Sequence, residues 1–215
     1  SQLSAPFYHH LGHEFLQPNS FELDYSFNAD TAMSLIAEAV ADGDWEEGRV
    51  LNYVFSGEEP GNDMLFVSQF LSDVGITVEL QGAGDRGAFN ERVLSEMDYD
   101  LVSICNGYGP DPDSVSIYYT SDFTFNDGGF NFTGLSNPRI DEILTLGRSE
   151  TDRDARILLY QELQGILDDE AVMIPIRLGN NAWVATSRLR DATPQYYGHL
   201  ANYNGVENWW LEPIE

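Results

Sequence analysis

The sequence predicts an α/β fold in which a mostly parallel sheet is covered by helices. Strand and helix signals alternate from residue 49 to residue 105, the links between them are short, and each helical stretch carries an apolar stripe. Parallel sheets of this kind are crossed in a right-handed sense and hold ligands beyond the carboxyl ends of their strands.

Residues 1–28 hold two prolines and many aromatics without a sustained period, and read as irregular packed connection. Asn28 or Asp30 caps a helix running to Gly43, with Ala32, Leu35, Ile36 and Ala39 at helical spacing. A strand is expected over 49–56, then a helix over 61–75 with Leu65, Phe66, Phe70 and Leu71 facing inward. Strand 76–82, helix 85–97 and strand 99–105 complete a β-α-β-α-β run.

After residue 114 a short helix is expected within "SVSIYYTSD". Asn137–Pro138 opens a helix over 136–150 that packs Ile140, Ile143, Leu144 and Leu146. A long capped helix follows over 151–170, with Ile157, Leu158, Tyr160, Leu163, Ile166 and Leu167 on its buried side. "AVMIPIRLG" and "NAWVATSRL" read as a carboxyl-terminal hairpin around Gly179-Asn180-Asn181, and the aromatic tail as irregular. No repeat or low-complexity linker divides the chain, so residues 1–215 are expected to form a single lobe.

Composition narrows the function. The chain sets 36 Asp+Glu against 10 Lys+Arg, all ten of them Arg, for a formal net charge of −26. That field repels phosphates and argues against a nucleic-acid partner. Acid excess of this kind fits either solubility in salt or a genome biased toward Arg codons, and is mainly a surface property. Cys105 is the only cysteine, so no disulfide or thiolate cluster forms within the chain. No run reaches the roughly 20 apolar residues of a membrane span, and Ser1 does not open a signal peptide. A targeting segment for export is expected outside these residues.

Candidate chemistry concentrates in few places. "HHLGH" would set His9 and His13 one helical turn apart, a metal-ligand spacing, yet Gly12 and Pro6 weaken a helix there. Asp111 and Asp113 flank Pro112, with Asp122 nearby. Counted from Asp111, the glycine and terminal glutamate of a calcium loop fall on Ser116 and Asp122, so that template fails and a turn or pocket wall is the better reading. Ser56 lacks the glycine of a nucleophile elbow, and a chain without Lys has no phosphate-binding P-loop. "GAGDRG" at 82–87 reads as a turn before a helix. Asn106–Asp113 and Ser56–Gly61 both follow strands, where a ligand is expected. Aromatics gather at Tyr108, Tyr118, Tyr119, Phe123, Phe125, Phe130 and Phe132 and again in the tail, enough for a core and for a broad apolar pocket wall.

Four ordered motifs carry a resemblance: Gly75-Ile76 with Val78 and Leu80; Tyr99-Asp100-Leu101 running into a Gly/Pro/Asp loop; Asn137-Pro138 with Asp141; and Asp152-Arg156-Tyr160-Gln164 before Ile174-Pro175-Ile176. Across about residues 30–190 they resemble the carboxyl-terminal half of the family 5 extracellular solute-binding proteins, the peptide- and nickel-type receptors of ABC importers. The resemblance implies two α/β lobes of the type II periplasmic-binding-protein kind closing on a solute. This chain would be the distal lobe, without the amino-terminal one.

In peptide-binding members an acid after the Tyr-Asp-Leu strand receives the ligand's amino group, often preceded by Trp. Here Ile104-Cys105 or Asn106 stands in the Trp region, Gly107 or Tyr108 stands where the acid falls, and Asp111 is the nearest carboxylate. "SGEEPG" offers no Arg for a peptide carboxylate, so a dipeptide is disfavoured against longer peptides or another solute. The resemblance thus implies a non-enzymatic receptor with Cys105, Asn106, Gly107, Tyr108 and Asp111 on the ligand side and no cofactor. Its partners would be the importer's permease subunits and the amino-terminal lobe, outside the cell or in the periplasm, on an anchor not in these residues. Asp100 is then structural and Asp113 caps the turn. Two alternatives stand beside it: a metal-dependent hydrolase using Asp111, Asp113 and His9 or His13, and a partner-binding domain docking through exposed aromatics.

Overall fold

Six residues, Val-Leu-Asn-Tyr-Val-Phe, occupy the centre of the sheet. β-branched and aromatic side chains suit a pleated surface covered on both faces, and Leu51, Tyr53, Val54 and Phe55 are all buried. The computed structural model describes residues 4–5, 28–104, 111–174, 176, 178–179, 185–192, 195–197, 200–202 and 206–213. These belong to two compact units, Asp24–Cys105 with Phe123–Gly134, and Ser1–Leu23 with Asn106–Asp122 and Leu135–Glu215.

In the first unit α1 spans Ala29–Asp42, β1 Val50–Phe55, α2 Asn62–Asp73, β2 Thr77–Gly82, α3 Arg86–Asn90 and β3 Leu101–Val102. The strands are parallel in the order β2-β1-β3, with Val50 opposite Thr77 and Val54 opposite Val102. Asn28 caps α1 by accepting from the Thr31 N–H, and Gly43 ends it in the left-handed region at φ 84°. Helix 85–97 is cut short. Asp85 caps α3, but Glu91–Ser95 widens into a π-helical turn in which the Glu96 N–H donates to the Glu91 carbonyl at 2.9 Å. Arg92 then reaches forward to the Asp98 carbonyl and carboxylate, both at 3.0 Å. The strand expected over 99–105 is two residues long, because Asp100 enters the sheet through its side chain as well as its backbone.

The inward face of α2 differs from expectation. Met64, Val67 and Leu71 are the half-buried side, whereas Leu65, Phe66 and Phe70 are exposed, Phe66 at 63 %. Both stripes are apolar and both have helical spacing, so periodicity alone does not choose between them. Leu35 on α1 is likewise exposed.

The second unit is helical. A 3₁₀ turn, Pro112–Val115, leads into α4 (Ser116–Tyr119); α5 spans Pro138–Ser149 and α6 Arg153–Glu170. Asn137 caps α5, accepting from the Arg139 N–H at 2.9 Å, and Asp152 caps α6, accepting from Asp154 and Ala155. Ile140, Ile143 and Leu144 of α5 and Tyr160, Leu163 and Leu167 of α6 are buried as read, while Leu146 and Leu158 are exposed. Gln164 is fully buried and donates to Asp168 at 2.7 Å.

Of the segments read as a hairpin around Gly179, residues 175, 177 and 180–184 lie outside the described residues. Leu178–Gly179 pairs antiparallel with Ser4–Ala5, and Leu189–Arg190 with Trp210–Leu211. A carboxyl-terminal hairpin does form one segment later, Gln195–Tyr197 against Leu200–Asn202.

Truncating Leu163, whose side chain is fully buried, to Ala should lower stability by about 2–5 kcal/mol. Phe66→Ser on the outer face of α2 should change it by less than about 0.5 kcal/mol. Denaturant unfolding followed by circular dichroism measures both, and equal losses would place Phe66 inside a core.

Candidate functional site

In the sheet order β2-β1-β3, the chain leaves β1 toward one side and returns to β3 on the other. The carboxyl ends of β1 and β3 therefore form a topological switch point, the place where open α/β sheets hold ligands. Val54 and Val102 are in register there, and one residue further the Ser103 hydroxyl is hydrogen-bonded to the Tyr53 phenol.

Glycines lock the loops on the β1 and β2 side of this edge. Gly57 and Gly84 exchange backbone bonds at 2.8 and 3.3 Å, and a Cβ on Gly82 would stand 2.6 Å from the Gly57 carbonyl oxygen. "SGEEPG" and "GAGDRG" thus meet through bare backbone, a close approach that only glycine allows at residue 82. Ser56, Glu58 and Glu59 remain exposed beside this lock.

At the opposite ends of the strands the polar groups are closed off. Asp100 accepts from the Asn52 N–H at 2.9 Å and from Arg49, which binds β3 to β1. The Asn52 bond, followed by Arg49, holds the Asp100 carboxyl below the usual carboxylate range. Asp100 is a structural residue, as read.

The helical unit contains the second cluster. Asp111 caps the 3₁₀ turn, its Oδ1 accepting from the Asp113 N–H at 2.8 Å. The same carboxylate takes both arms of the Arg156 guanidinium, Nη2 to Oδ1 at 2.7 Å and Nη1 to Oδ2 at 3.0 Å. Asp113, expected to be the cap, is instead paired with Arg148 at 3.0 Å and receives the Tyr160 hydroxyl at 3.3 Å. The roles are exchanged because Pro112 at the first turn position leaves Asp111 with the extended backbone a cap requires.

Arg156 donates from Nε to the Gly147 carbonyl at 2.7 Å, and its guanidinium lies 5.3 Å from the centre of the Tyr160 ring. Gly147 is the matching concession on α5: a Cβ there would stand 2.8 Å from that ring. The Arg156 fork lowers the Asp111 pKa, and burial foremost, with the Asp113 charge beside it, pushes the Tyr160 phenol up to about 12.

Of the residues read as ligand-side, Asp111 falls in this cluster. Cys105, Asn106, Gly107 and Tyr108 lie outside the described residues, as do His9, His10 and His13. Asp111 and Asp113 each face a guanidinium, so the geometry does not pool their charges on a cation as a two-carboxylate hydrolase would require. Sequence reading missed Arg148, Arg156 and Gly147 as parts of this cluster. The signal was the four-residue ladder Asp152, Arg156, Tyr160, Gln164, which stacks polar groups along one side of α6. A shallow groove of about 400 Å³ also opens over Leu146, Ala155, Leu158 and Leu159, lined by no residue of the strand-end loops.

Comparison with known proteins places this architecture. No family model matches the chain. Its fold matches NikZ of Campylobacter jejuni, solved with Ni(L-His), at a TM-score of 0.73 and 17% identity over 96% of this chain and 43% of that one. It also matches the ABC transporter substrate-binding protein CtaP of Listeria monocytogenes, at 0.67 and 22% identity over 89% and 39%. The fold is that of the periplasmic solute-binding proteins. A sequence relative, the oligopeptide-binding protein OppA of Bacillus subtilis (strain 168), is 34% identical over 68 residues, 32% of this chain and 12% of that protein. The chain thus spans about two fifths of each solved solute-binding protein named here.

Two outcomes are expected of this part of the fold. Gly147→Ala should cost about 1–3 kcal/mol by driving a methyl into the Tyr160 ring; thermal unfolding measures it, and a neutral result would mean the α5–α6 contact is slack. Stability should also fall at both pH extremes. Free tyrosine ionises near pH 10, while Tyr99 and Tyr160 are pushed up to about 12, so their contribution is intact below about pH 10 and lost as pH rises toward 12. The depressed carboxyls of Asp100 and Asp111 contribute above about pH 4 and lose that contribution as pH falls through their lowered values. Denaturant midpoints across pH should show both limbs, the alkaline one flattened in Tyr99→Phe and the acid one in Asp100→Asn.

Proposed function

We propose that this chain is the distal lobe of an ABC importer's substrate-binding protein, capturing a solute outside the cell and taking no part in chemistry. The observation that carries the reading is the switch-point edge of the β2-β1-β3 sheet in a fold shared with NikZ over 96% of the chain. Residues 1–215 count as one lobe in this reading, and an amino-terminal lobe supplies the facing wall. Closure of two lobes excludes water and strengthens each polar contact to the bound solute.

An oligopeptide is the favoured solute, supported by the 68-residue match to an oligopeptide-binding protein. Cys105, Asn106, Gly107 and Tyr108, following β3, form the ligand side with Asp111 at its end. Permease subunits of the importer receive the loaded protein, which acts extracellularly or in the periplasm on an anchor outside these residues. No helix among the described residues is long and apolar enough to cross a membrane.

Thermal unfolding of the chain with defined tri- to heptapeptides tests the reading. A ligand at 100 times its dissociation constant stabilises the folded state by about 2.7 kcal/mol, a clear rise in midpoint. Stabilisation by Ni(L-His) alone would keep the receptor and change its solute. Silence toward peptides, the nickel complex and sugars, with the amino-terminal lobe supplied, would overturn it.

A further inference from the structure

We infer that Asp111 serves solute binding by position rather than by charge, as the anchor of the turn at Pro112–Val115. The inference rests on the receptor reading above and narrows its solute class to ligands that place no ammonium group on this carboxylate.

A carboxylate holds a ligand's ammonium best where its acceptor sites are free and its charge is not already compensated. Asp111 has its charge answered by Arg156 and three of its roughly four acceptor sites taken. Oδ1 accepts from Arg156 Nη2 at 2.7 Å and from the Asp113 N–H at 2.8 Å, and Oδ2 accepts from Arg156 Nη1 at 3.0 Å. The two arms make a parallel fork, the geometry that only arginine provides.

Arg156 is the fixed member of the pair. Its side chain is 19% exposed against 57% for Asp111, its Nε is held by the Gly147 carbonyl, and its guanidinium faces the ring of fully buried Tyr160. A ligand ammonium taking Asp111 would strand that guanidinium against α5 and α6. Arg148 and Tyr160 hold Asp113 in the same way, so both acids of the Asp-Pro-Asp turn are clasped from the helices behind them. The clasp fixes the turn, and the turn fixes where the preceding loop ends.

Calorimetric titration of the full chain, with the amino-terminal lobe supplied, tests this with pentaalanine and N-acetyl-pentaalanine as probes. The variants are Asp111→Asn, which keeps the oxygen that caps Asp113 and loses the charge, Arg156→Lys, which keeps the charge and loses the fork, and the double variant. Thermal unfolding of each confirms that it is folded. The expected result is wild-type binding of both peptides alike, a loss of about tenfold or more in either single variant for both peptides equally, and no further loss in the double variant. A loss confined to the free-amine peptide would show that Asp111 reads the ammonium, and would overturn the inference. Wild-type affinity in both single variants would overturn it as well. Failure of the wild-type chain to bind either peptide would sink the oligopeptide reading itself and this inference with it, a result distinct from the other two.

Discussion

Scarcity of positive charge constrains this molecule throughout. Ten arginines and no lysine stand against 36 acids, and several of the described arginines are placed where separate segments of chain meet. Arg49 joins the start of β1 to Asp100, Arg92 closes the turn before β3 on Asp98, Arg139 ties α5 to Glu162 of α6, and Arg190 ties its strand to Glu212. Arg148 and Arg156 hold the Asp-Pro-Asp turn. Exposed pairs of this kind are each worth little in stability. Their value is geometric, since a planar fork fixes the direction of approach where an ammonium would fix only a distance.

The parallel sheet depends on a different economy. Among the described strands β1 is the one paired with both β2 and β3, so burial of Val54 and Phe55 on the central strand holds both neighbours. A side-chain relay crosses the same strands: Arg92 donates to Gln81 at 2.6 Å, and Gln81 donates to Asn52 at 3.0 Å. Asn52 and Gln81 are therefore polar residues in strand interiors with partners, which is the condition for their being there.

Much of this was legible in the sequence. The order of elements, the Asn28, Asn137 and Asp152 caps and the buried stripe of α6 follow from local rules of spacing and capping. What was not legible depended on long-range partners. α2 has two apolar stripes, and only its packing on the sheet selects Met64, Val67 and Leu71 over Leu65, Phe66 and Phe70. The pairing of Leu178–Gly179 with Ser4–Ala5 joins segments more than 170 residues apart, which no local rule predicts. The candidate site divides in the same way. β-α-β order leads one to expect a site at strand ends, but the engagement of Asp111 could not be read, because Arg156 lies 45 residues away.

The two ends of the sheet now have distinct physical characters. At the amino ends Arg49, Asp100 and Asn52 form charge-assisted bonds that engage both oxygens of Asp100. At the carboxyl ends of β1 and β2 the chain turns on Gly57, Gly82 and Gly84, whose lack of side chains lets the loops meet through backbone alone. The Gly57–Gly84 contact is made of peptide groups alone, with the side chains of Ser56, Glu58 and Glu59 exposed beside it. Backbone groups recognise other backbones without regard to side chain. The two loops are thus fastened by peptide groups that involve no side chain, whereas the amino ends of the strands are fastened by the Asp100 carboxylate.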